Sequence, residues 1–266
     1  MQDVETRLRQ RDLQDLTRTI DDASRQPYDG GMKLSSISLV LAASLSLLFP
    51  AVSQAAERRY SISDFDQIQV IGPHKVIVQT GRATSVMAVG DTEALDALSI
   101  EALGGVLKIL SLVKARSRWK EGPHPAARVI VVLPQLKAIR LLGSGTIAAA
   151  ELRGISTTIT LNGSGQISVA KLASDGTTAR LSGSGRIALA GTVKNFDANI
   201  SGSGDLDAAQ LTASDLKIVS ASSGRVTAKS VRTADVKQNG AGMVKVTGGP
   251  SCLVENPGSG SASCGD

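Results

Sequence analysis

The chain has 266 residues, 29 basic and 24 acidic side chains, a formal net charge of +5 and 42% apolar residues, enough for one folded domain with a buried core and short appendages. Its six aromatics, Tyr28, Phe49, Tyr60, Phe65, Trp119 and Phe196, leave the core to Val, Ile, Leu and Ala and offer no platform for stacking sugars or single-stranded bases, so nucleic acid is not an expected partner. Two histidines and two cysteines are too few soft ligands for a zinc or iron–sulfur centre, and no cofactor or metal is expected.

Residues 1–31 are largely polar, with five Arg against seven acids, and read as a disordered extension produced by a start codon placed too early. From Met32 the chain runs Met-Lys-Leu-Ser-Ser, then an apolar stretch from Ile37 to Val52, then Ser53-Gln54-Ala55-Ala56, the three-part layout of a secretory signal peptide over 32–55 cleaved after Ala55. The apolar stretch has 16 residues, including three serines and Pro50, which is short of the ~20 that span a bilayer. An uncleaved inner-membrane anchor is the alternative. No Cys follows the stretch where a bacterial lipoprotein would carry its lipid, so the expected location is the periplasm, the medium or the cell surface. Removing 1–55 leaves 23 basic against 17 acidic groups, a formal +6, which favours association with anionic envelope polymers.

Residues 56–62 read as a linker. Beyond them the spacing predicts strands at 65–71, 75–79, 85–89, 98–102, 106–110 and 128–133, several with one alternating apolar face, and a hairpin turn at Gly104-Gly105. This portion is expected to pack on the repeats that follow and to close their first end. Between the last two strands, Lys114, Arg116, Arg118, Trp119 and Lys120 crowd four positive charges and the only Trp into seven residues. Two readings stand for this segment: a contact for an anionic polymer, phosphate or lipid headgroup, or a solvated loop whose charges keep a sheet edge from pairing.

From Leu141 the tripeptide Gly-Ser-Gly, or a near copy, recurs at Gly143-Ser144-Gly145, Gly163-Ser164-Gly165, Gly183-Ser184-Gly185 and Gly202-Ser203-Gly204, then from Ser222, Gly240 and Gly258, at intervals of 20, 20, 19, 20, 18 and 18. A period near 20 means a stacked solenoid. Four residues before each tripeptide stand Ile139, Ile159, Ala179, Ala198, Ile218 and Val236. Two before it stand Leu141, Leu161, Leu181 and Ile200, then Ser220 and Gln238. After it come Ile147, Ile167, Ile187, Leu206, Val226 and Val244, and two further on Ala149, Val169, Leu189, Ala208, Ala228 and Val246. With side chains alternating between faces, these are core columns, while Thr146, Gln166, Arg186, Asp205, Arg225 and Met243 share a solvent-facing one. Each coil is a strand, a glycine corner, a second strand and a return segment. No proline lies between Pro134 and Pro250, as expected where nearly every amide donates to a neighbouring coil.

The serine column (144, 164, 184, 203, 223) has no base at hand, so its hydroxyls are expected to bond neighbouring backbone at the corners. Asp205 and Asp207 lie on one face, but Thr, Gln and Arg stand at the positions matching Asp205, so no ligand column for calcium runs down the stack. Cys252 and Cys264 bracket the turn Asn256-Pro257-Gly258. In an oxidising compartment they are expected to pair, stabilising by ~2–3 kcal/mol and closing a cap at 251–266.

Phe65-Asp-Gln-Ile-Gln-Val, then Val129-Ile-Val-Val-Leu-Pro-Gln-Leu136, then Ile139-Arg-Leu-Leu-Gly-Ser-Gly145 and successive Gly-Ser-Gly coils, resemble the bacterial head GIN domain family, described as heads of autotransporter adhesins. The resemblance covers about 63–250 and implies an all-β, helix-like stack in the envelope or outside it, with no catalytic residues to map. No run of alternating ~10-residue barrel strands follows the repeats, so no membrane barrel of its own is expected. The sequence therefore predicts an all-β parallel β-solenoid of six or seven coils with a strand-rich N-terminal portion. The function expected is that of an exported, non-enzymatic envelope or surface binder with an adhesion role, its partner an anionic envelope polymer or a surface protein. A scaffold without specific ligand is the second reading, and a solenoid carbohydrate-active enzyme the third.

Overall fold

The computed structural model describes residues 56–112 and 127–265, all within a unit running from Gln54 to Asp266. The predicted signal segment 32–55, the extension 1–31 and the basic segment 114–120 lie outside the described residues. The chain forms a parallel β-solenoid of about 6 turns with a strand-rich N-terminal portion. Short strands β8 (Ala138–Leu142) and β9 (Thr146–Ala149) form two walls of one coil, joined at the Gly143-Ser144-Gly145 corner. The next strands run continuously round the coil: β10 (Leu152–Gly163), β11 (Gln166–Gly183), β12 (Arg186–Gly202), β13 (Asp205–Ser222) and β14 (Arg225–Gln238). Each begins after a corner, forms wall two, passes through a third wall and ends as wall one of the following corner; β10 starts on the third wall. The segment read from sequence as a return is thus also strand, because the third wall is laddered to its neighbours too.

The ladders are parallel and in register. Ile159 pairs with Ile139 and Ala179, Leu161 with Leu141 and Leu181, and Ile167 with Ile147 and Ile187. The four predicted core columns are all buried, from Ile139 at 1% exposure to Val246 at 0%. Leu152, Leu172 and Leu211 fill the core from the third wall, and Phe196 lies in a ladder with Thr177 and Leu216 at the junction of walls three and one. Apolar burial in stacked identical columns stabilises each coil against its neighbours, by roughly 1.5–3 kcal/mol per buried Leu or Ile side chain.

The unequal coil lengths have a local cause. Between Val169 and Leu172 two residues round the bend from wall two to wall three, whereas between Leu189 and Gly191 one suffices, and the ladder shifts there. Gly191 takes φ +133°, and a Cβ on it would lie 2.1 Å from the Leu172 carbonyl oxygen. Only glycine accommodates the shorter bend.

The N-terminal strands match their predicted positions, but their stacking order differs from chain order. β2 (Gln67–Ile71) and β3 (Lys75–Thr80) form a coil lying between β8–β9 on one side and β6 (Val106–Ser111) and β7 (Arg128–Leu133) on the other, all parallel. Gly72-Pro73-His74 therefore occupies the corner above Gly143-Ser144-Gly145. Beyond β6 and β7 the direction reverses. β5 (Leu98–Leu103) pairs antiparallel with β6 through the Gly104-Gly105 turn, and β4 (Ser85–Gly90) pairs antiparallel with β7. The segment expected as a linker carries β1 (Ala56–Tyr60), antiparallel to β4, which extends the sheet by one strand. A single helical turn, α1 (Thr92–Asp96), with Asp91 at its N-cap and Ala94 and Leu95 buried, joins β4 to β5. Its Asp-Thr-Glu start is a helix signal that the strand-dominated reading passes over.

At the other end, β15 (Met243–Thr247), β16 (Ser251–Glu255) and β17 (Ser261–Cys264) continue the parallel ladders, so 251–264 is a further coil. Cys252 and Cys264 form a disulfide across it, with Cα atoms 6.2 Å apart.

Candidate functional site

The corners are architectural. Gly143, Gly163, Gly183 and Gly202 have positive φ, and Gly145, Gly165, Gly185 and Gly204 pack against the preceding corner. The amides make the bonds: Ser164 and Gly165 N–H donate to the Gly143 carbonyl at 3.1 and 3.0 Å, Ser184 and Gly185 to Gly163 at the same distances, and Ser203 to Gly183 at 2.9 Å. The residues Ser144, Ser164, Ser184, Ser203 and Ser223 are exposed. Among the described residues their hydroxyls make no hydrogen bond to neighbouring backbone, contrary to the sequence expectation; the corner carbonyls accept from backbone amides of the adjacent coil instead.

Asp205 accepts from the Arg225 backbone N–H at 2.9 Å and from the Arg186 guanidinium at 2.9 Å. The backbone bond first, then Arg186, hold its carboxyl below the ordinary range. Asp207 accepts from Thr227 Oγ1 at 3.1 Å and from the Ala209 N–H at 3.3 Å. Both carboxylates thus tie neighbouring coils together. Among the described residues no three His, Cys, Asp or Glu side chains converge as a metal would require.

His74, given no role in the sequence reading, is 4% exposed in the corner stacked on Gly143-Ser144-Gly145, with Nε2 2.8 Å from Ser111 Oγ. Burial pushes its imidazole pKa down. Its Nδ1 is buried without a hydrogen-bond partner among the described residues.

Two outer faces remain. Wall two presents small side chains, Ala148, Ser168 and Ala188, under a shallow groove of about 490 Å³. Wall one is polar and carries one column readable directly from the ladders: Glu101, Lys108, Gln69, Arg140, Thr160, Arg180, Asn199, Val219, Lys237 and Glu255. Acids stand only at its two ends. Lys237 pairs with Glu255 at 2.9 Å, while Lys108, Arg140 and Arg180 form no ion pair among the described residues. Beside Arg140 the small side chain of Ala138 opens a hollow of about 280 Å³, also lined by Gln67, Gln69, Thr158 and Thr160.

Residues 64–250, most of this solenoid, match the family model "Putative auto-transporter adhesin, head GIN domain". The chain belongs to the head GIN domain family. Solved structures share the fold. A "putative adhesin" from Bacteroides fragilis superposes with a TM-score of 0.71 at 19% identity, over 80% of this chain and 98% of that one. A "Putative lipid binding protein" from Parabacteroides distasonis gives 0.62 at 23%, over 81% and 98%. A "putative adhesin" from Parabacteroides merdae gives 0.56 at 17%, over 81% and 97%. No curated protein matches the sequence. Among the described residues no helix is long and apolar enough to cross a membrane.

Proposed function

We propose that this head GIN domain protein is exported and acts at the cell envelope or surface as an adhesin-type binder, without catalysis, its partner an anionic envelope polymer. The observation that carries this reading is the set of in-register ladders along wall one, which repeats the same outward positions from coil to coil about every 4.8 Å and so suits a partner that is itself repetitive. The family's description as an adhesin head supports the adhesion role, and the basic balance of the chain supports an anionic partner. Export is supported by the Cys252–Cys264 disulfide, a bond that persists in oxidising compartments, and by the signal-like segment before Ala56.

The binding test uses the full chain against immobilised polygalacturonate, a linear carboxylated polysaccharide, and neutral dextran, at low and high salt. The expected result is saturable binding to polygalacturonate that weakens as salt screens the charges, and none to dextran. Absence of polygalacturonate binding, or equal binding to dextran, overturns the reading in favour of a scaffold or another ligand. For export, the test is the intact mass of the protein in periplasm and medium, expected to begin at Ala56 with both cysteines alkylated only after reduction. A membrane-bound chain retaining Met32 overturns that part.

A further inference from the structure

We infer that the wall-one column is the polymer-binding surface, and that Lys108, Arg140 and Arg180 form a ladder of cations that seats one linear acidic polysaccharide chain along the stack. The inference rests on the proposed function and assigns its surface.

Lys108 pairs in register with Gln69, Gln69 with Arg140, Arg140 with Thr160, Thr160 with Arg180 and Arg180 with Asn199. Cations therefore occupy alternate rungs, about 9.6 Å apart at the strand spacing of about 4.8 Å. Between them stand an amide, Gln69, and a hydroxyl, Thr160, and beyond Arg180 a second amide, Asn199, groups that donate and accept hydrogen bonds as sugar hydroxyls require. Several cations elsewhere on the solenoid are paired across the rungs, Arg186 with Asp205 at 2.9 Å, Lys194 with Asp175 at 2.8 Å and Lys237 with Glu255 at 2.9 Å, whereas others, such as Lys229 and Lys245, stand singly on other walls without a second cation in their column two rungs away. Such pairs offset repulsion and bind neighbouring coils. The three ladder cations form no such pair among the described residues: Glu101 stands opposite Lys108 without an ion pair to it, and no acid stands in the column from Lys108 to Lys237. On the Arg180 side, Asp197 stands in the neighbouring column one rung beyond Arg180, without an ion pair to it among the described residues.

Shape points the same way. The hollow at Ala138 lies between Gln69, Arg140 and Thr160, so the middle of the ladder is a depression bordered by donors. Charges in single file suit one extended polymer chain, whereas a bilayer presents its charge over a plane. The positive field above the column is one that carboxylates enter and neutral sugars do not.

The test compares full-length wild type with the triple variant Lys108→Gln, Arg140→Gln, Arg180→Gln and with a control that removes the same charge elsewhere, Arg82→Gln, Lys229→Gln, Lys245→Gln. Probes are polygalacturonate, dextran and phosphatidylglycerol vesicles, with circular dichroism to check folding. The expected result is a loss of about tenfold or more in polygalacturonate affinity for the triple variant, with a flatter salt dependence, and a change under about threefold for the control. Wild-type binding that survives in the triple variant overturns the ladder and leaves the proposed function standing. No wild-type binding overturns both. Wild-type binding to vesicles alone overturns the polysaccharide assignment in favour of a lipid surface. Should the triple variant misfold, the single changes Arg140→Gln and Arg180→Gln replace it, each expected to weaken polygalacturonate binding by about two- to fivefold, and unchanged affinity in both overturns the ladder.

Discussion

At its first end the stack is covered by strands that reverse direction: β4 and β5 pair antiparallel with β7 and β6, β1 adds to β4, and Val86, Ala88, Leu95, Leu98 and Ile100 are buried there. At its last end β16 and β17 simply continue the parallel ladders, and Leu253 and Val254 remain 60% and 39% exposed. The core changes along the same axis. Leu141, Leu161, Leu181 and Ile200 give way to Ser220 and Gln238, whose Oγ and Oε1 are buried without partners among the described residues, although Gln238 Nε2 donates to the Gly242 carbonyl at 2.9 Å. A coil held by burial needs a neighbour on both sides. The last coil has one, and it also sits on the poorest stretch of core, so the disulfide supplies by a covalent tie what packing does not.

The comparison breaks most sharply if core truncation costs the same everywhere. Leu161→Ala, at full burial, should destabilise the domain by about 2–5 kcal/mol in chemical denaturation, against under about 1 kcal/mol for Val254→Ala. Equal losses would mean that the last coil is packed as firmly as the middle.

The corner offers the next test. Gly183 has φ +115°, and a Cβ there would lie 2.5 Å from the Gly163 carbonyl oxygen. Gly183→Ala should therefore cost about 1–3 kcal/mol from backbone strain alone, and more from the clash. A melting temperature equal to wild type would show that the corner relaxes.

Cys252→Ser with Cys264→Ser should remove roughly 2–3 kcal/mol by the chain-entropy model, and the loss should be local. In hydrogen exchange β16 and β17 should lose protection while β2, β3, β6 and β7 keep theirs. Uniform loss across the domain would give the disulfide a global role.

The smallest effect belongs to the first end and follows pH. Burial lowers the His74 pKa in the folded chain, so below about 6.5 the unfolded chain takes up a proton that the folded one resists. Stability should fall as pH drops through that range toward the lower folded value, by at most about 1.4 kcal/mol per pH unit, and the fall should be shallower in His74→Gln. A slope identical in both proteins would remove His74 as its source.

The candidate surface was half legible. Arg140, Thr160, Arg180 and Asn199 each stand three residues before a corner glycine, so a repeat alignment puts them in one column. Lys108 and Gln69 precede no Gly-Ser-Gly, and they join the column only through the pairing of β6 with β2 and of β2 with β8. The basic segment at 114–120 drew attention as a dense run of charge, whereas the ladder is dispersed over 73 residues, from Lys108 to Arg180, and no local window contains it.

By itself the sequence determined the coil: alternating apolar residues at a period near 20, with glycine at each corner, permit only a strand stack whose identical columns are buried together. It also specified which residues face inward, since that depends on local alternation alone. Only the tertiary structure decided the stacking order, in which β2 and β3 lie between coils that follow them in the chain, and the reversal of direction that makes β1, β4 and β5 a cap. Pairing partners distant in sequence are chosen by complementary surfaces and by the need to cover an open sheet edge, and neither leaves a periodic mark on the chain.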